Sequence, residues 1–402
     1  MTMLGDAVHA TTVEQRLLER NPLFAEFFAR EAPRLAVACR EMSQRFLKGG
    51  RLLAFGRGAY ATDAQHVSVE FVHPVIVGKR ALPALDISSC PRPWLEAILR
   101  PDDMVMGFGP PGGDPEVLAA LAWAHARGAM TFALPGLSST CASYTVAGVT
   151  PDPFMLQELI ELLYHTLWET VHVFFEHREL GLDVGASGFL YPFLGSGGDE
   201  SPRDLVGDVG RSILMKVADD AELRARVAAE ESESIHTAIL AIARRLRAGG
   251  KLILFGNGGS ATDANDWALD CVDPPSGYRP IPAISLSMEA ANITAIANDV
   301  GTDVIFVRQL IAHARPDDVA IGISTSGGSR NVIAALEEAR KRKLLTFALL
   351  GYDGGEIKRR GVADHMAIVQ SDYIPRIQEV QASIYHVMRE RLEALGEDYG
   401  DV

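Results

Sequence analysis

Long apolar runs, paired cysteines and a basic leader are all missing from this sequence, and each absence excludes a class of protein. No apolar run approaches the roughly 18 residues needed to cross a membrane, so we expect no membrane partner. Residues Met1–Ala10 show no basic segment followed by an apolar one, so we expect no secretory signal. The four cysteines are scattered without zinc-binding spacing: Cys39, Cys90, Cys141 and Cys271. Such thiols fit a reduced compartment, and we expect a cytoplasmic protein.

Positive charge is also scarce. The 402 residues include 38 Lys and Arg against 52 Asp and Glu, which gives a formal net charge of −14 at pH 7. This charge argues against non-specific nucleic-acid binding. The glycine-rich turn that follows Leu252–Phe255 is not GxGxxG and lacks the lysine of a P-loop, so we expect no nucleotide cofactor. With 48% hydrophobic residues, a chain of this length can bury the cores of two domains.

One strand–turn–helix pattern occurs twice. The apolar run Leu252–Phe255 is followed by the glycine-rich segment Gly256–Ser260 and then by a helix-forming run. The same order is found at Leu52–Phe55 and Gly56–Tyr60, 200 positions earlier. A buried parallel strand, a tight turn and a helix whose N-terminus can hold an anion explain this pattern. The chain is therefore predicted to be a tandem repeat built around this turn.

Strands and helices alternate in both halves, which predicts an α/β fold with a parallel sheet covered on both faces, twice over. Strands are predicted at 51–55, 75–77, 104–108 and 130–134, and at 251–255, 283–286, 319–323 and 345–349. Helices are predicted at 12–48, 115–127 and 155–177, and at 204–248 and 375–396. A segment rich in Gly, Ser and Pro separates the halves. We therefore predict a first domain at 1–180, a linker at 181–203 and a second domain at 204–402.

Hydroxyl groups are concentrated where a strand of the second half ends and a helix begins: Ser324, Thr325, Ser326 and Ser329. Their hydroxyls, the backbone N–H groups and the helix dipole suit a phosphate without Lys or Arg. The alternative is an ordinary serine-rich N-cap and turn. Asn257 and Ser260 follow another strand nearby and favour the phosphate site.

The first half has lost these groups. Where the second half has Ser324, Thr325, Ser326 and Ser329, the first half has Gly109, Pro110, Pro111 and Asp114. Where the second half has Ser260 and Asn257, the first half has Tyr60 and Arg57. The prolines lack N–H donors, and an aspartate repels a dianion. We therefore predict a degenerate phosphate site in the first half.

An acid–base pair shows the opposite loss. His66 and Glu70 stand four residues apart on one helix face, where they could share a metal or act as a base and its partner. Taken alone, such a pair is also a common solvated feature of helix surfaces. The second half carries Asp266 and Asp270 instead, and Asp is one methylene shorter than Glu. The repeat therefore favours a functional pair in the first half only.

A larger set of residues resembles a known family. These are Asn257–Ser260, Asn298-Asp299 with Gly301 and Asp303, Ile323–Ser329 with Asn331-Val332, Gly354-Gly355, and Arg376–Glu379 with His386. Together they resemble the sugar isomerase (SIS) family, and within it the phosphoheptose isomerases, which convert sedoheptulose 7-phosphate to a heptose 7-phosphate. The resemblance covers 205–395 strongly and 13–178 more weakly. It implies two tandem SIS domains, each a flavodoxin-like three-layer sandwich, and a phosphorylated, heptose-like sugar as the substrate.

The resemblance also implies residue roles. Catalytic roles fall to Glu70, His165, His66, Gln378 and His386. Phosphate binding falls to Asn257, Ser260, Ser324, Thr325, Ser326 and Ser329. Some relatives hold a zinc ion, whose ligands here would be His66, Glu70, Gln157 and His165. The implied reaction is aldose–ketose isomerisation through an enediol. Glu70 would move a proton between C1 and C2, and His165 would protonate or deprotonate the carbonyl and hydroxyl oxygens.

The spacing on the closing helices suggests a composite site. Gln157 and His165 are eight residues apart, about 12 Å along a helix axis, so one helix can hardly bring both to one centre. We therefore expect one site that uses the phosphate-binding residues and Gln378 of the second half with His66, Glu70 and His165 of the first. The opposite site, with Asp266 and Asp270, would be degenerate.

Two other functions and an assembly state complete the expectations. The chain could be a non-catalytic phosphosugar-binding regulatory or assembly protein, or an etherase or lyase of amino-sugar phosphates. Single-domain relatives form tetramers, so a homodimer with four SIS domains is expected. The expected surface consists of apolar positions on the closing helices: Leu159, Leu162, Leu163, Leu167, Ile384, Val387 and Met388.

Overall fold

A computed structural model of the protein describes residues 12–74, 79–137, 140–179 and 202–396. The chain divides into two compact units. The N-terminal unit is Asn21–Asp220, and the C-terminal unit is Ala221–Val402 together with Met1–Arg20. The strand predicted at 75–77 lies outside the described residues, as does the linker predicted at 181–203 except for its last two residues, which are helical.

Helices and strands alternate as the sequence predicts. The strands are β1 (Leu52–Phe55), β2 (Ala84–Asp86), β3 (Met104–Phe108), β4 (Met130–Gly136), β5 (Tyr144–Ala147), β6 (Leu252–Phe255), β7 (Ala283–Ser285), β8 (Val319–Ser324), β9 (Leu345–Gly351) and β10 (His365–Val369). The helices are α1 (residues 12–18), α2 (Arg20–Leu47), α3 (Ala61–Val72), α4 (Pro91–Ile98), α5 (Pro115–His125), α6 (Pro153–Glu179), α7 (Pro202–Arg247), α8 (Gly259–Val272), α9 (Ala290–Val300), α10 (Ile305–His313), α11 (Arg330–Lys341), α12 (Gly355–Arg360) and α13 (Ile374–Leu395). None of these described helices combines the length and apolar composition that crossing a membrane requires.

Each unit contains one five-stranded sheet in which all pairs of neighbouring strands are parallel. The strand order is β2-β1-β3-β4-β5 in the N-terminal unit and β7-β6-β8-β9-β10 in the C-terminal unit. Both orders are the flavodoxin-like 2-1-3-4-5, which confirms the predicted α/β fold. The order reverses between β1 and β3 in one unit and between β6 and β8 in the other. In such sheets, ligands bind beyond the carboxyl ends of the strands at this point.

Apolar side chains cover both faces of each sheet, which gives three layers. Along β6, Leu252 and Leu254 enter the core that contains α13, whereas Ile253 and Phe255 enter the core that contains α10 and α11. β1 alternates in the same way between two cores. Because both faces are buried, these strands consist entirely of apolar residues, and this is why their sequences predict them well.

The closing helices α6 and α13 are core helices. They are buried over 154–175 and 375–389. The seven apolar positions expected to form a surface between subunits have no solvent exposure within one chain, because they fill the two cores: Leu159, Leu162, Leu163, Leu167, Ile384, Val387 and Met388. That assignment of the surface is wrong. The homodimer itself stays a prediction.

Two further helices, α1 and the start of α7, each add apolar side chains to the core of one unit. Val13 and Leu17 of α1 are fully buried in a core of the C-terminal unit, and Arg16 Nη2 lies 2.8 Å from Glu390 Oε1. In the N-terminal unit, the start of α7 supplies Val209, Ile213 and Val217 to the core. Periodicity predicts these helices but does not indicate which core they enter.

Candidate active site

The carboxyl ends of β6 and β8 form a glycine- and serine-rich crevice in the C-terminal unit. After β6 the chain passes through Gly258, whose φ of 57° is readily adopted by glycine, and α8 begins at the next residue. β8 ends at Ser324, and α11 begins directly after Ser329. Because β6 and β8 are neighbours, both helix N-termini lie at the point where the strand order reverses. Their N–H groups and dipoles suit an anion.

Hydroxyl groups hold the loop after β8 in one shape. Ser324 Oγ accepts the Gly327 N–H at 3.2 Å and shares a 3.1 Å hydrogen bond with Ser329 Oγ. Ser326 Oγ accepts the Gly328 N–H at 3.2 Å, and Ser326 is exposed. The loop therefore places Ser326 and Gly328 at the solvent-exposed surface. We refer to this loop and the turn after β6 as the cradle (residues 256–260 and 324–329).

Two glycines let the cradle pass close to the segment after β9. Gly327 has a φ of 59°, and a Cβ at this position would clash with the carbonyl oxygen of Gly354. Gly355 has a φ of 54°, and a Cβ there would clash with the carbonyl oxygen of Ser326. These contacts give a physical reason for one glycine in each pair, Gly327 and Gly355.

The structure brings all six predicted phosphate-binding residues to these two strand ends. Ser260 lies at the start of α8 and is 5% exposed, and Thr325 is partly buried. Asn257 is exposed and makes two hydrogen bonds to Asn331, a residue to which the sequence analysis gave no role.

The equivalent place in the N-terminal unit is occupied by the protein's own charges. Asp114 caps α5, and its Oδ1 accepts the N–H groups of Glu116 and Val117 at 2.8 and 3.1 Å. Arg57 Nη1 lies 3.4 Å from Asp114 Oδ2. The carboxylate thus caps the N-terminus of α5, whereas the Ser329 side chain makes no capping hydrogen bond to α11 in the other unit.

Three acid–base side chains meet in the N-terminal unit. His66 and Glu70 of α3 are 3% and 0% exposed, so they are not a solvated surface pair. His165 of α6 is fully buried, and its Nε2 lies 3.4 Å from His66 Nε2. His66 Nε2 lies 3.8 Å from Glu70 Oε1. A carboxylate and two imidazoles in this arrangement can exchange protons with one small ligand.

The glutamines predicted for the site lie elsewhere on the closing helices. Gln157 Nε2 donates to Asp63 Oδ2 at 3.4 Å, one turn before His66 on α3. Gln378 is 2% exposed on α13 of the C-terminal unit.

The matching cluster of the C-terminal unit carries a different charge balance. His386 Nε2 lies 3.2 Å from Asp270 Oδ2 and 3.5 Å from Asp266 Oδ2. Tyr385 donates its hydroxyl hydrogen to Asp266 Oδ2 at 2.7 Å. Burial, and next the Asp266 carboxylate, raise the pKa of Asp270 to about 7, although His386 and Arg389 lower it. His386, implied as catalytic by the resemblance, is therefore engaged with two aspartates.

Comparison with known proteins identifies the family. A model of the SIS domain matches residues 217–351. The phosphoheptose isomerase of Geobacter sp. (strain M21) is 44% identical over 173 residues, which are 43% of this chain and 89% of that protein. The chain belongs to the SIS domain family. The phosphoheptose isomerase of Chlorobaculum tepidum is 43% identical over 187 residues, or 46% of this chain and 88% of the relative. These relatives thus cover about half of the present SIS protein.

A solved structure extends the likeness in fold to nearly the whole chain. The C-terminal domain of glucosamine-fructose-6-phosphate aminotransferase from Francisella tularensis superposes with a TM-score of 0.56. The match covers 95% of this SIS protein and 96% of that chain at 9% identity, and at this identity it shows the fold alone.

The histidine cluster of this SIS protein fits a zinc ion. One potential ligand atom from each of His66, Glu70 and His165 lies within 4.8 Å of the others, and all three residues are buried. Imidazole nitrogens and a carboxylate oxygen are common zinc ligands. Bonds of about 2.1 Å in a tetrahedron place ligand atoms about 3.4 Å apart, close to the separation of the two imidazole nitrogens.

Sequence reasoning assigned no role to several residues that shape the site, although it included Asn331 in the motif set. Tyr385 and Asn331 contact Asp266 and Asn257, which are 119 and 74 positions away. Ser287 Oγ accepts the Gly256 N–H at 3.1 Å and so holds the turn after β6. Alignment of the two halves offered one signal for Asn331, because its counterpart in the first half is the charged Glu116.

Proposed function

We propose that this protein interconverts the aldose and ketose forms of a phosphorylated sugar, with sedoheptulose 7-phosphate as the first substrate to test. One observation carries the proposal. The cradle occurs in the C-terminal unit, where the acid–base cluster is altered. The buried His66–Glu70–His165 cluster occurs in the N-terminal unit, where Asp114 occupies the place that corresponds to the cradle. The identity to phosphoheptose isomerases supports this reaction class.

The reaction needs a base that moves a proton between two neighbouring carbons and groups that serve their oxygens. We assign the carbon proton to Glu70 and the proton exchange at the carbonyl and hydroxyl oxygens to His165. His66 lies within contact distance of both side chains and would hold them in place. The cradle would bind the phosphate through hydroxyl and N–H groups, which keeps the reacting carbons in position.

We further propose a division of labour within the chain. The active site would use the cradle and Gln378 of the C-terminal unit together with the His66–Glu70–His165 cluster. The counterparts of these groups would form no second catalytic site, because Asp114 repels a phosphate and Asp270 is shorter than Glu70. Complementary losses in the two halves support this assignment.

Exchange of the carboxylate for an amide tests the reaction. Glu70→Gln should abolish isomerisation of sedoheptulose 7-phosphate while leaving its Kd nearly unchanged, because Glu70 acts on carbon and not on the phosphate. Ser326→Ala should raise KM by roughly 2- to 12-fold, as the loss of one hydrogen bond does. Asp270→Asn is the matched control and should retain turnover. Turnover by Glu70→Gln, or equal damage from Asp270→Asn, would contradict the proposal. Binding without turnover in the wild-type protein would favour a regulatory sensor instead.

We also propose, as an alternative to free acid–base catalysis by these side chains, that His66, Glu70 and His165 hold a zinc ion, which would polarise the sugar carbonyl as a Lewis acid. Protein purified without chelator should contain about one zinc per chain by elemental analysis, and His66→Ala should lose it. His73→Ala removes an exposed histidine directly after the same helix and should keep the metal. A metal-free wild-type protein, or zinc retained by His66→Ala, would contradict the proposal.

A further inference from the structure

Two asparagines bridge the strand ends that carry the cradle. Asn257 Nδ2 donates to Asn331 Oδ1 at 2.9 Å, and Asn331 Nδ2 donates to Asn257 Oδ1 at 2.9 Å. Asn331 Oδ1 also accepts the Val332 N–H at 2.9 Å, at the start of α11. This backbone donor fixes which end of the Asn331 amide is the oxygen. The reciprocal pair then fixes the amide of Asn257, which keeps one N–H and one lone pair for a ligand.

The N-terminal unit builds the same bridge from charged residues. Arg57 stands 200 positions before Asn257, and Glu116 stands 215 positions before Asn331, the same offset that relates the helix caps Asp114 and Ser329. Arg57 Nη1 lies 3.2 Å from Glu116 Oε2. Both units therefore join the turn after their first central strand to the helix after the second.

The bridge consists of neutral amides in the unit that has the cradle and of charged side chains in the unit that lacks it. A carboxylate at position 331 would lie beside the cradle and repel a phosphate dianion. Neutral amides span the same gap without that repulsion, and they leave a donor available. In the N-terminal unit, Asp114 occupies the place that corresponds to the cradle, and Arg57 and Glu116 form an ion pair at the position of the asparagine bridge.

We infer that Asn331 is a positioning residue for substrate binding: it holds the Asn257 amide so that its remaining N–H faces the phosphate of the sugar. This inference rests on the proposed function, because the phosphate is that of its substrate. Ser287 holds the neighbouring Gly256 N–H, so the turn is supported from two sides.

Kinetics of Asn331→Ala test the inference. KM for sedoheptulose 7-phosphate should rise about 3- to 10-fold, in line with one lost hydrogen bond, while kcat stays within about twofold. Asn257→Ala should have an effect at least as large. The double variant should be no worse than Asn257→Ala, because Asn331 acts through Asn257.

Glu116→Ala is the matched control, since it breaks the equivalent bridge where no cradle remains. It should leave KM unchanged. An equal rise in KM for Glu116→Ala would overturn the inference, as would additive effects in the double variant or a fall in kcat at constant KM in Asn331→Ala.

Calorimetry separates failure of this inference from failure of the proposed function. Wild-type protein and the same variants are titrated with sedoheptulose 7-phosphate and with inorganic phosphate. If the wild-type protein binds without turnover, the isomerase proposal fails, and a higher Kd in Asn331→Ala alone still supports the role of Asn331. An unchanged Kd in Asn331→Ala overturns that role. If the wild-type protein binds neither probe, both proposals fail.

Discussion

Glu70 and Asp270 occupy the same position on α3 and α8, yet their surroundings differ in charge. Glu70 shares its cluster with two imidazoles, whereas Asp270 shares one imidazole with a second aspartate. A carboxylate oxygen of Glu161 also lies within 4.8 Å of a His66 ring nitrogen, so the two clusters differ chiefly in their number of imidazoles. Two imidazoles give the first cluster more groups that can accept and release a proton.

The buried aspartate makes stability depend on pH. The pKa of Asp270 is raised from its ordinary value of 3.8 to about 7 by burial and by Asp266. Between these values the folded state binds more protons than the unfolded state, so the free energy of unfolding falls as pH rises from about 4 to 7, by at most about 1.4 kcal/mol per pH unit. Asp270→Asn should reduce this fall.

Chemical denaturation at pH 5, 6, 7 and 8 measures the effect. Asp364→Asn provides a control, because Asp364 is an exposed aspartate whose carboxylate already accepts from Thr346. Identical pH slopes for the wild-type protein and Asp270→Asn would show that Asp270 does not titrate in this range.

Among the secondary-structure elements, α1 links its unit's stability to a segment far away in sequence. Leu17 is fully buried in the core that contains α13, whereas its neighbour Leu18 is 36% exposed. Leu17→Ala should lower the free energy of unfolding by about 2–5 kcal/mol, because it leaves a cavity. Leu18→Ala should change it by roughly 0.5 kcal/mol or less. Equal effects in denaturant titrations would contradict the burial of α1 in this core.

The strands show what sequence can predict. Central strands such as β3 and β8 are covered on both faces and therefore appear as continuous apolar runs. The strands that were missed, β2, β5 and β10, lie at sheet edges and alternate with exposed or half-buried residues. β2 and β5 lack an apolar run like those of the central strands, whereas β10 contains the run Met366–Val369 and was still missed. The predicted helices were found because their apolar periodicity extends over several turns.

The candidate site was predictable in composition and not in contacts. The serine-rich loop and the His66–Glu70 pair could be recognised because the repeat showed where each had been lost. The placement of α1 in a core of the C-terminal unit and the bonds of Asn257 to Asn331 depend on packing between distant segments. No local pattern encodes such pairs.

At the scale of the whole molecule, the chain contains two SIS-like units whose site residues differ. Each unit has the 2-1-3-4-5 sheet and its crevice. In the N-terminal unit, Asp114 occupies the place that corresponds to the cradle. In the C-terminal unit, Asp266 and Asp270 stand where the N-terminal unit has His66 and Glu70. Repetition of one fold accounts for a relative that is similar over about half of this chain.

The number of sugar phosphates bound per chain tests this account most directly. Isothermal titration of the wild-type protein with sedoheptulose 7-phosphate should give one site per chain, because Asp114 caps the helix at the equivalent place in the N-terminal unit. Ser326→Ala should weaken that site, and Asp114→Ser, which restores a hydroxyl in the N-terminal unit, should not add a second one while Pro110 and Pro111 remain. Two equivalent sites per chain in the wild-type protein would contradict the division of labour and return both units to independent function.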